Sequence, residues 1–293
     1  MQKRSLCYAL SIFFALLGFS ACHHTTLTEG ISPENSLSSQ HVPMPLPIFP
    51  DEELSAFDSA DTPNEPANPS IWDVSDVDIS RIDPARKLIS FTFDDAPARC
   101  LENLMAVYAS YNESNPDCIA SATLFLNGYL FDNQTPTLLT TALALGFELG
   151  NHSYSHPDFT TLSLTAGIDE IDRVDNVLSP FDGKNRHLFR PPYGKITDEQ
   201  KNAVQVPVIS WTIDTLDWTG LGENAIYESV MQNKFSGAIV LMHDGYKETV
   251  QAVKRLLPDL KKAGYQVVNV SQMCKMHGRK LYKGKEYIRI RKA

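Results

Sequence analysis

Short apolar runs alternate with segments of helical spacing along residues 88–270. The runs predict β-strands, and the stretches between them, whose apolar positions recur every three or four residues, predict α-helices. Strands are predicted at 88–93, 122–126, 147–149, 187–189, 206–213, 238–242 and 266–270. Helices are predicted at 101–109, 136–145, 163–178, 224–232 and 248–257. Because most of the runs are apolar on both faces, they are typical of buried parallel strands.

The order of these elements predicts an α/β fold, and it favours a small barrel of seven or eight strand–helix units. An open Rossmann-type sheet is the structural alternative. It is disfavoured because no Gly-x-Gly-x-x-Gly sequence follows a predicted strand.

The first 22 residues have the pattern of an export signal. Lys3 and Arg4 precede an apolar run at 6–19, which is shorter than the roughly 20 residues that a membrane-spanning helix needs. Small residues then precede Cys22, which resembles a bacterial lipobox. Residues 1–21 are therefore predicted to be a lipoprotein signal peptide, with the acylated Cys22 anchoring the protein to the membrane of the cell envelope. No Asp follows Cys22, which favours the outer membrane and the periplasm, and a secretory signal that releases the protein is the alternative.

Charge is distributed unevenly along the chain. The net charge of −9 argues against a nucleic-acid partner, because binding phosphates requires a basic surface. Residues 22–86 hold 9 of the 18 prolines and most of the excess acidic charge, so they are predicted to be a Pro/Ser-rich tether that is disordered over 23–69. The apolar residues at 71–72 and 79–82 are expected to dock onto the edge of the domain.

Residues 275–293 form a basic C-terminal extension with eight Lys or Arg residues and one Glu. Two interpretations are open for this segment. It is either a solvated terminal hairpin or a patch that contacts an anionic polymer or lipid head groups.

Export also bears on the cysteines, because exported domains can carry disulfides. Cys100 and Cys118 are a candidate pair, and a bond between them would stabilise the fold by ~3 kcal/mol in the loop-entropy model. Buried free thiols, with Cys274 as the third, are the alternative.

Polar and titratable side chains stand at the C-terminal ends of five predicted strands. An Asp at a strand end is usually a helix cap, but five such ends in one chain are hard to explain by capping. Because the C-terminal ends of the strands in a parallel barrel converge on one face, these side chains are expected to share one pocket. They are Asp94 and Asp95, His152, Arg190, Asp214 and Asp217, and His243.

His152 and His156 are candidate metal ligands. Their i, i+4 spacing would place both imidazoles on one side of a helical turn, where they can chelate one ion. The segment lacks the Glu of His-Glu-x-x-His, which disfavours a zinc peptidase. A carboxylate is a suitable third ligand for Zn²⁺, and the pair Asp94 and Asp95 supplies one and leaves the other free to accept a proton.

Five segments carry a more specific signal: Thr-Phe-Asp-Asp-Ala-Pro at 92–97, His-Ser-Tyr-Ser-His at 152–156, Arg-Pro-Pro-Tyr-Gly at 190–194, Asp-Thr-Leu-Asp-Trp at 214–218 and Leu-Met-His at 241–243. In this order they resemble the signature motifs of the NodB-homology polysaccharide deacetylases, carbohydrate esterase family four. The resemblance implies a catalytic domain at 87–274 with the distorted (β/α) barrel of that family. It also implies an acetylated polysaccharide substrate and a divalent cofactor, Zn²⁺ or another such as Co²⁺.

The same resemblance implies the metal ligands and the proton-transfer groups. Asp95, His152 and His156 would bind the metal. Asp94 would be the general base that deprotonates the attacking water, and His243 would be the general acid that protonates the leaving amine.

Further residues would position these groups or line the pocket. The resemblance implies that Arg190 orients Asp94 and that Asp217 holds and tunes His243. The backbone N–H of Tyr193 would stabilise the oxyanion, and Trp218 and Leu241 would form walls around the acetyl methyl group.

The sequence departs from the family pattern at Ala96, where Gly is usual. If this position needed a positive φ, Ala would destabilise it by ~1 kcal/mol.

Three functions are consistent with these residues. The first is N-deacetylation of a cell-envelope polysaccharide such as peptidoglycan or a chitin-like oligosaccharide. The second is de-O-acetylation of xylan or an exopolysaccharide, because the same site can hydrolyse esters. The third is a non-catalytic carbohydrate-binding lipoprotein whose metal is structural, which would require four protein ligands.

Overall fold

The structure is a computed structural model that describes residues 70–293. The predicted signal peptide, Cys22 and the predicted disordered part of the tether lie outside the described residues. Within 70–293, no helix combines the length and the apolar character that a membrane-spanning segment requires.

Eight strands and seven α-helices alternate through most of the described chain. The strands are β1 (Lys87–Ala96), β2 (Thr123–Leu126), β3 (Glu148–Asn151), β4 (Val208–Ile209), β5 (Ile213–Asp214), β6 (Ile239–His243), β7 (Tyr265–Val268) and β8 (Glu286–Tyr287). The helices are α1 (Leu101–Ser114), α2 (Thr135–Ala144), α3 (Leu164–Asp182), α4 (Asp198–Val204), α5 (Glu223–Asn233), α6 (Lys247–Lys262) and α7 (Val270–His277). The predicted α/β class with parallel strands is confirmed.

Strand β1 is the centre of the sheet and pairs with three parallel neighbours. One edge pairs with β6, and the other edge pairs first with β7 and then with β2. Ile89, Phe91 and Phe93 belong to the core cluster shared with the helices. Because side chains alternate across a strand, Thr92 and Asp94 point to the opposite face, which is the barrel interior.

The barrel continues from β2 to β3 and closes through single bridges and short strands. Phe189 bridges Asn151 of β3 on one side and Val208 of β4 on the other. Strand β4 also pairs with β8, whereas β5 pairs with β6. The predicted strand at 206–213 is therefore two strands, because its two halves have different partners, and the predicted strand at 187–189 contributes only the bridge at Phe189.

The segments at both ends of the described chain are part of this fold. Ile71 bridges Tyr282, and Ile82 is buried, so the expectation that 71–72 and 79–82 dock onto the domain is confirmed. The basic segment is not a solvated hairpin: it supplies β8, and Ile290 is only 1% exposed.

Cys100 and Cys118 are free and buried, so the predicted disulfide is wrong. Helix α1 separates them, and its 14 residues extend for ~21 Å at the α-helical rise. A disulfide requires its two Cα atoms to lie within roughly 7 Å of each other. Cys274 is the third buried free thiol, as in the alternative interpretation.

Candidate active site

The five strand ends predicted to carry chemistry meet on one face of the barrel. The carboxylates of Asp94 and Asp95 at the end of β1 lie within 4 Å of His152, which follows β3. Arg190 reaches the same place from the segment after Phe189. His243 ends β6, next to β1 in the sheet, and its register partner is Asp94.

Asp95, His152 and His156 form a cluster that could hold a metal ion. Asp95 Oδ1 lies 3.5 Å from His156 Nε2 and 3.9 Å from His152 Nε2. One ligand atom from each residue lies within 4.8 Å of the others. Zinc–ligand bonds of about 2.0–2.2 Å in a tetrahedral shell separate ligand atoms by roughly 3.3–3.6 Å, so small shifts bring this set onto one ion. Asp95 Oδ1 is buried and has no hydrogen-bond partner among the described residues, as expected of an atom that ligates a cation.

A backbone carbonyl fixes the tautomer of His152. Its Nδ1–H donates to the carbonyl oxygen of Arg190 at 2.7 Å, and a carbonyl can only accept. The lone pair on Nε2 therefore faces the carboxylates of Asp94 and Asp95, whose nearest oxygens lie 3.6 and 3.9 Å away. Burial also lowers the pKa of His152, which favours the neutral imidazole that binds metals.

The loop that carries both histidines is not a helical turn, and that expectation is wrong. Ser153 (φ 71°) and His156 (φ 57°) adopt left-handed backbone conformations, and the loop contains no α-helix. Ser153 Oγ accepts a hydrogen bond from the N–H of His156 at 3.1 Å. The close approach of the two imidazoles therefore depends on these two left-handed residues and on this hydrogen bond, and not on helical spacing.

Asp94 stands beside the ligand cluster and pairs with Arg190. Arg190 Nη1 donates to Asp94 Oδ1 at 2.7 Å, and Asp94 Oδ2 lies 3.6 Å from His152 Nε2. Arg190 is fully buried and also donates to the carbonyl oxygens of Ile209 and Ser210. Burial alone would raise the pKa of Asp94, but the guanidinium holds it below its ordinary value. The carboxylate is therefore ionised at neutral pH and can accept a proton.

His243 and Asp217 form a second pair at the mouth of the site. His243 Nδ1–H donates to Asp217 Oδ1 at 2.8 Å, and Asp217 Oδ2 accepts from the His243 backbone N–H and from Thr249 Oγ1. Burial alone would lower the pKa of His243, but the hydrogen bond and charge of Asp217 raise it to about 9, with a contribution from Asp94. The imidazolium therefore persists at neutral pH and can donate a proton from Nε2.

Of the residues predicted to surround the acetyl group, Tyr193 contacts the candidate metal cluster, whereas Leu241 pairs with Thr92 of β1 and Trp218 follows Asp217. Tyr193 has a left-handed backbone (φ 59°), and its ring packs edge-on to the ring of His156 at 4.8 Å. Tyr193 is 63% exposed as a residue, and Trp218, next to Asp217, is 54% exposed. Leu241 is buried on β6 and points into the barrel, because it alternates with residues of the outer core.

Ala96 does not need the glycine that is usual at its position, since its φ is not positive. The left-handed residue is its neighbour Asp95 (φ 60°). The replacement therefore carries none of the strain that a positive φ would cause.

Sequence reasoning missed two polar residues in this region. Thr249, on the first turn of α6, donates to Asp217 at 2.6 Å. Asp244 is fully buried, its Oδ2 accepts from the N–H of Ala98, and burial raises its pKa to about 7. Asp244 adjoins a motif and could have been noticed, whereas Thr249 is an ordinary helical residue with no distinguishing pattern.

Comparisons with known proteins agree with this geometry. The family model described as polysaccharide deacetylase matches residues 81–206. The chain is 33% identical over 192 residues to the peptidoglycan-N-acetylmuramic acid deacetylase PdaC of Bacillus subtilis, covering 66% of this chain and 40% of PdaC. It is 33% identical over 204 residues to a peptidoglycan-N-acetylglucosamine deacetylase of Bacillus cereus, covering 64% of this chain and 88% of that relative.

The solved structure of PdaC superposes with a TM-score of 0.61 at 31% identity, covering 67% of this chain and 94% of that one. The α/β fold with its parallel strands matches that of solved polysaccharide deacetylase structures. The chain belongs to the polysaccharide deacetylase family, and the resemblance drawn from its five motifs is confirmed. It nevertheless spans only 40% of PdaC and 51% of the peptidoglycan deacetylase PgdA of Listeria monocytogenes.

Proposed function

We propose that the protein is a metal-dependent hydrolase that removes N-acetyl groups from a polysaccharide of the bacterial cell envelope. The observation that carries this proposal is the pairing of charges on either side of the candidate ligands. Asp94 is kept ionised by Arg190, and His243 is kept protonated by Asp217. A base and an acid that coexist at neutral pH are what amide hydrolysis requires.

The orphaned Oδ1 of Asp95 and the two imidazole Nε2 atoms fit a divalent cation, so Asp95, His152 and His156 would hold Zn²⁺ or a similar ion such as Co²⁺. When bound there, the cation supplies Lewis acidity that polarises the acetyl carbonyl and makes water more acidic.

The protein's own groups would move the protons. Asp94 accepts a proton from the attacking water as its oxygen forms a bond to the acetyl carbon. The backbone N–H of Tyr193 donates to the oxyanion that develops. As the carbon–nitrogen bond breaks, His243 gives its Nε2 proton to the leaving amine. The products are acetate and a free amino sugar, and Trp218 and Leu241 enclose the methyl group before hydrolysis.

The proposed substrate rests on the relatives and on the export signal. PdaC and the Bacillus cereus relative are both named for the deacetylation of peptidoglycan sugars. A chain with a lipoprotein-type N-terminus would meet the same polymer in the cell envelope. We therefore propose peptidoglycan before xylan, and anchoring through Cys22.

The mechanism is tested by measuring acetate release from peptidoglycan fragments with and without Zn²⁺. We expect release to depend on the metal and to fall by about 10²–10⁴-fold in Asp94→Asn and in His243→Ala. Asp198→Asn is the matched control, because Asp198 is a surface carboxylate paired with Lys201 away from the site. If both site variants fold, bind Zn²⁺ and keep the wild-type rate, the mechanism is wrong.

The substrate is tested by comparing peptidoglycan fragments, chitooligosaccharides and acetylated xylan at equal concentrations of acetyl groups. The proposal expects the highest kcat/KM on an N-acetylated glycan. Faster acetate release from acetylated xylan would identify a de-O-acetylase instead. A protein that binds these glycans without releasing acetate would be a binding lipoprotein.

A further inference from the structure

Ser153 lies between the two histidine ligands and is restrained at every polar atom. It is fully buried with φ 71°. Its N–H donates to Asn151 Oδ1 at 2.9 Å, and its carbonyl oxygen accepts from Asn127 Nδ2 and from the N–H of Gly128, both at 3.2 Å. Its Oγ accepts from the N–H of His156. A residue in the left-handed region that is restrained this completely has its conformation imposed by its surroundings.

Asn127 contacts this loop from the end of β2. Its Nδ2 donates to the carbonyl oxygens of His152, at 2.7 Å, and of Ser153. Because both neighbours only accept, the amide can face them in one orientation. Its Oδ1 is then buried with no partner among the described residues. The N–H of Asn127 donates to the carbonyl oxygen of Ala96, so the residue also joins the histidine loop to the strand that carries Asp95.

Asn151 contacts the same loop from the opposite side. Its Nδ2 donates to the carbonyl oxygen of Ile171 at 2.9 Å and to Asp175 Oδ1 at 2.8 Å. Both groups are acceptors, which leaves Oδ1 to receive the N–H of Ser153. Asp175 is in turn held by the buried His187, whose Nδ1–H donates to the same carboxylate oxygen at 2.8 Å. The orientation of Asn151 is thus set by helix α3 and by a buried ion pair.

We propose that Asn127 and Asn151 are positioning residues that set the metal affinity of the site by clamping Ser153 in its left-handed conformation. This inference rests on the proposed metal site. Without the two amides, the peptide units on either side of Ser153 can relax to commoner backbone angles, which turns His156 away from Asp95. The cation would then have to reorganise the loop on binding, and replacing groups that orient metal ligands typically weakens affinity by about 10–100-fold.

The experiment measures the Zn²⁺ dissociation constant of the full chain by competition with a chromophoric chelator. The variants are Asn151→Ala and Asn127→Leu, the latter removing the orphaned Oδ1 with little change in volume. Both are expected to bind Zn²⁺ about 10–100-fold more weakly than the wild type. At saturating Zn²⁺ their rate of acetate release should return towards the wild-type rate, because the proton-transfer groups are intact.

Asn112→Ala is the matched control. Asn112 clamps the backbone of Ala120 with the same two kinds of hydrogen bond, at 2.7 and 2.9 Å, but it lies away from the metal site. It should lower the thermal midpoint without changing the affinity for Zn²⁺. Asp95→Ala, which removes a ligand, defines the affinity of a broken site.

The outcomes separate this inference from the proposed function. If Asn127→Leu and Asn151→Ala fold and bind Zn²⁺ as tightly as the wild type, the clamp is wrong while the metal site stands. If the wild type binds Zn²⁺ no better than Asp95→Ala, the proposed metal site is wrong, and the proposal that Asn127 and Asn151 set its affinity is wrong as well. Should one of the two asparagine variants fail to fold, the affinity of the other decides.

Discussion

Two aspartates of the candidate active site, Asp94 and Asp217, have opposite proposed roles because their partners differ. Asp94 pairs with Arg190, whose charge is permanent. Asp217 pairs with His243, whose charge depends on pH. The first pairing lowers the pKa of a carboxyl group and the second raises the pKa of an imidazole to about 9. A base and an acid can therefore be present together from acidic pH to about pH 9.

The pairing of His243 predicts the alkaline limb of the pH profile. Because its pKa is raised, the imidazolium is complete at neutral pH and is lost as the pH rises through about 9. In Asp217→Asn the stabilising charge is removed, so we expect the limb in kcat/KM to move down by about one to two pH units, with a loss of about 2–10-fold at pH 8. The measurement is acetate release by the Zn²⁺-loaded protein between pH 5 and 10.

The surface variant Asp198→Asn should keep the wild-type profile and serves as the control. If Asp217→Asn lowers the rate equally at every pH, Asp217 does not tune His243.

At the scale of residues, the sequence could place the chemistry but not the geometry. The ends of parallel strands converge, so the site residues could be grouped before their contacts were known. The conformation of the loop at Ser153 could not be predicted, because it depends on Asn127, which donates to the Ser153 carbonyl oxygen, and on Asp175, which orients Asn151. Periodicity and spacing indicate which residues are buried. They do not indicate which distant side-chain amide forms a hydrogen bond with a given backbone carbonyl.

Among the elements, strands with one set of neighbours were predicted well and strands that change neighbours were not. The prediction at 238–242 matches β6 (Ile239–His243) to within one residue. The run at 206–213 is mostly apolar, yet the strand is interrupted at 210–212, so that its first half pairs with β8 and its last residue, Ile213, pairs with β6. An apolar run shows that a segment is buried, and pairing is decided by the rest of the sheet.

The basic C-terminal segment shows how charge can conceal a structural element. Its lysines and arginines suggested a solvated surface. However, Tyr287 of β8 pairs with Ile209 of β4, and Ile290 is buried among residues of the barrel interior. The N–H of Ile290 donates to the carbonyl oxygen of Gly237 at 2.8 Å. Strand β8 is the sheet partner of β4, so this segment helps to close the barrel beneath the site.

Ile290→Ala tests whether the segment stabilises the domain. We expect the free energy of unfolding to fall by about 2–5 kcal/mol, the usual effect of truncating a buried isoleucine to alanine. Equilibrium denaturation with urea measures the change, and the exposed Lys292→Ala provides the control, with an expected effect within about 0.5 kcal/mol. Equal stability of the two variants would mean that residues 281–290 dock without stabilising the barrel.

For the whole molecule, most of the excess negative charge lies in the sequence before the described residues. Residues 70–293 carry 24 basic and 27 acidic side chains, whereas 23–69 carry eight acidic and no basic ones. A nearly neutral domain would neither repel nor strongly attract the proposed anionic cell-wall substrate, so long-range charge would not select it. Selection would then depend on contacts made by exposed site residues such as Tyr193 and Trp218, and on the location of the chain in the cell.

The N-terminal sequence predicts the cellular location of the protein, which is a membrane of the cell envelope. If Cys22 is acylated, each methylene group buried in the bilayer contributes ~0.8 kcal/mol, and more than one acyl chain gives stable anchoring. In a two-membrane bacterium we expect the full chain to sediment with the membranes and Cys22→Ser to lose that association. Cys7→Ser is the matched control, because Cys7 lies within the predicted signal and would be removed with it. Membrane-bound Cys22→Ser, or a soluble wild type, would show that the protein is not a lipoprotein and would leave secretion as its route to the substrate.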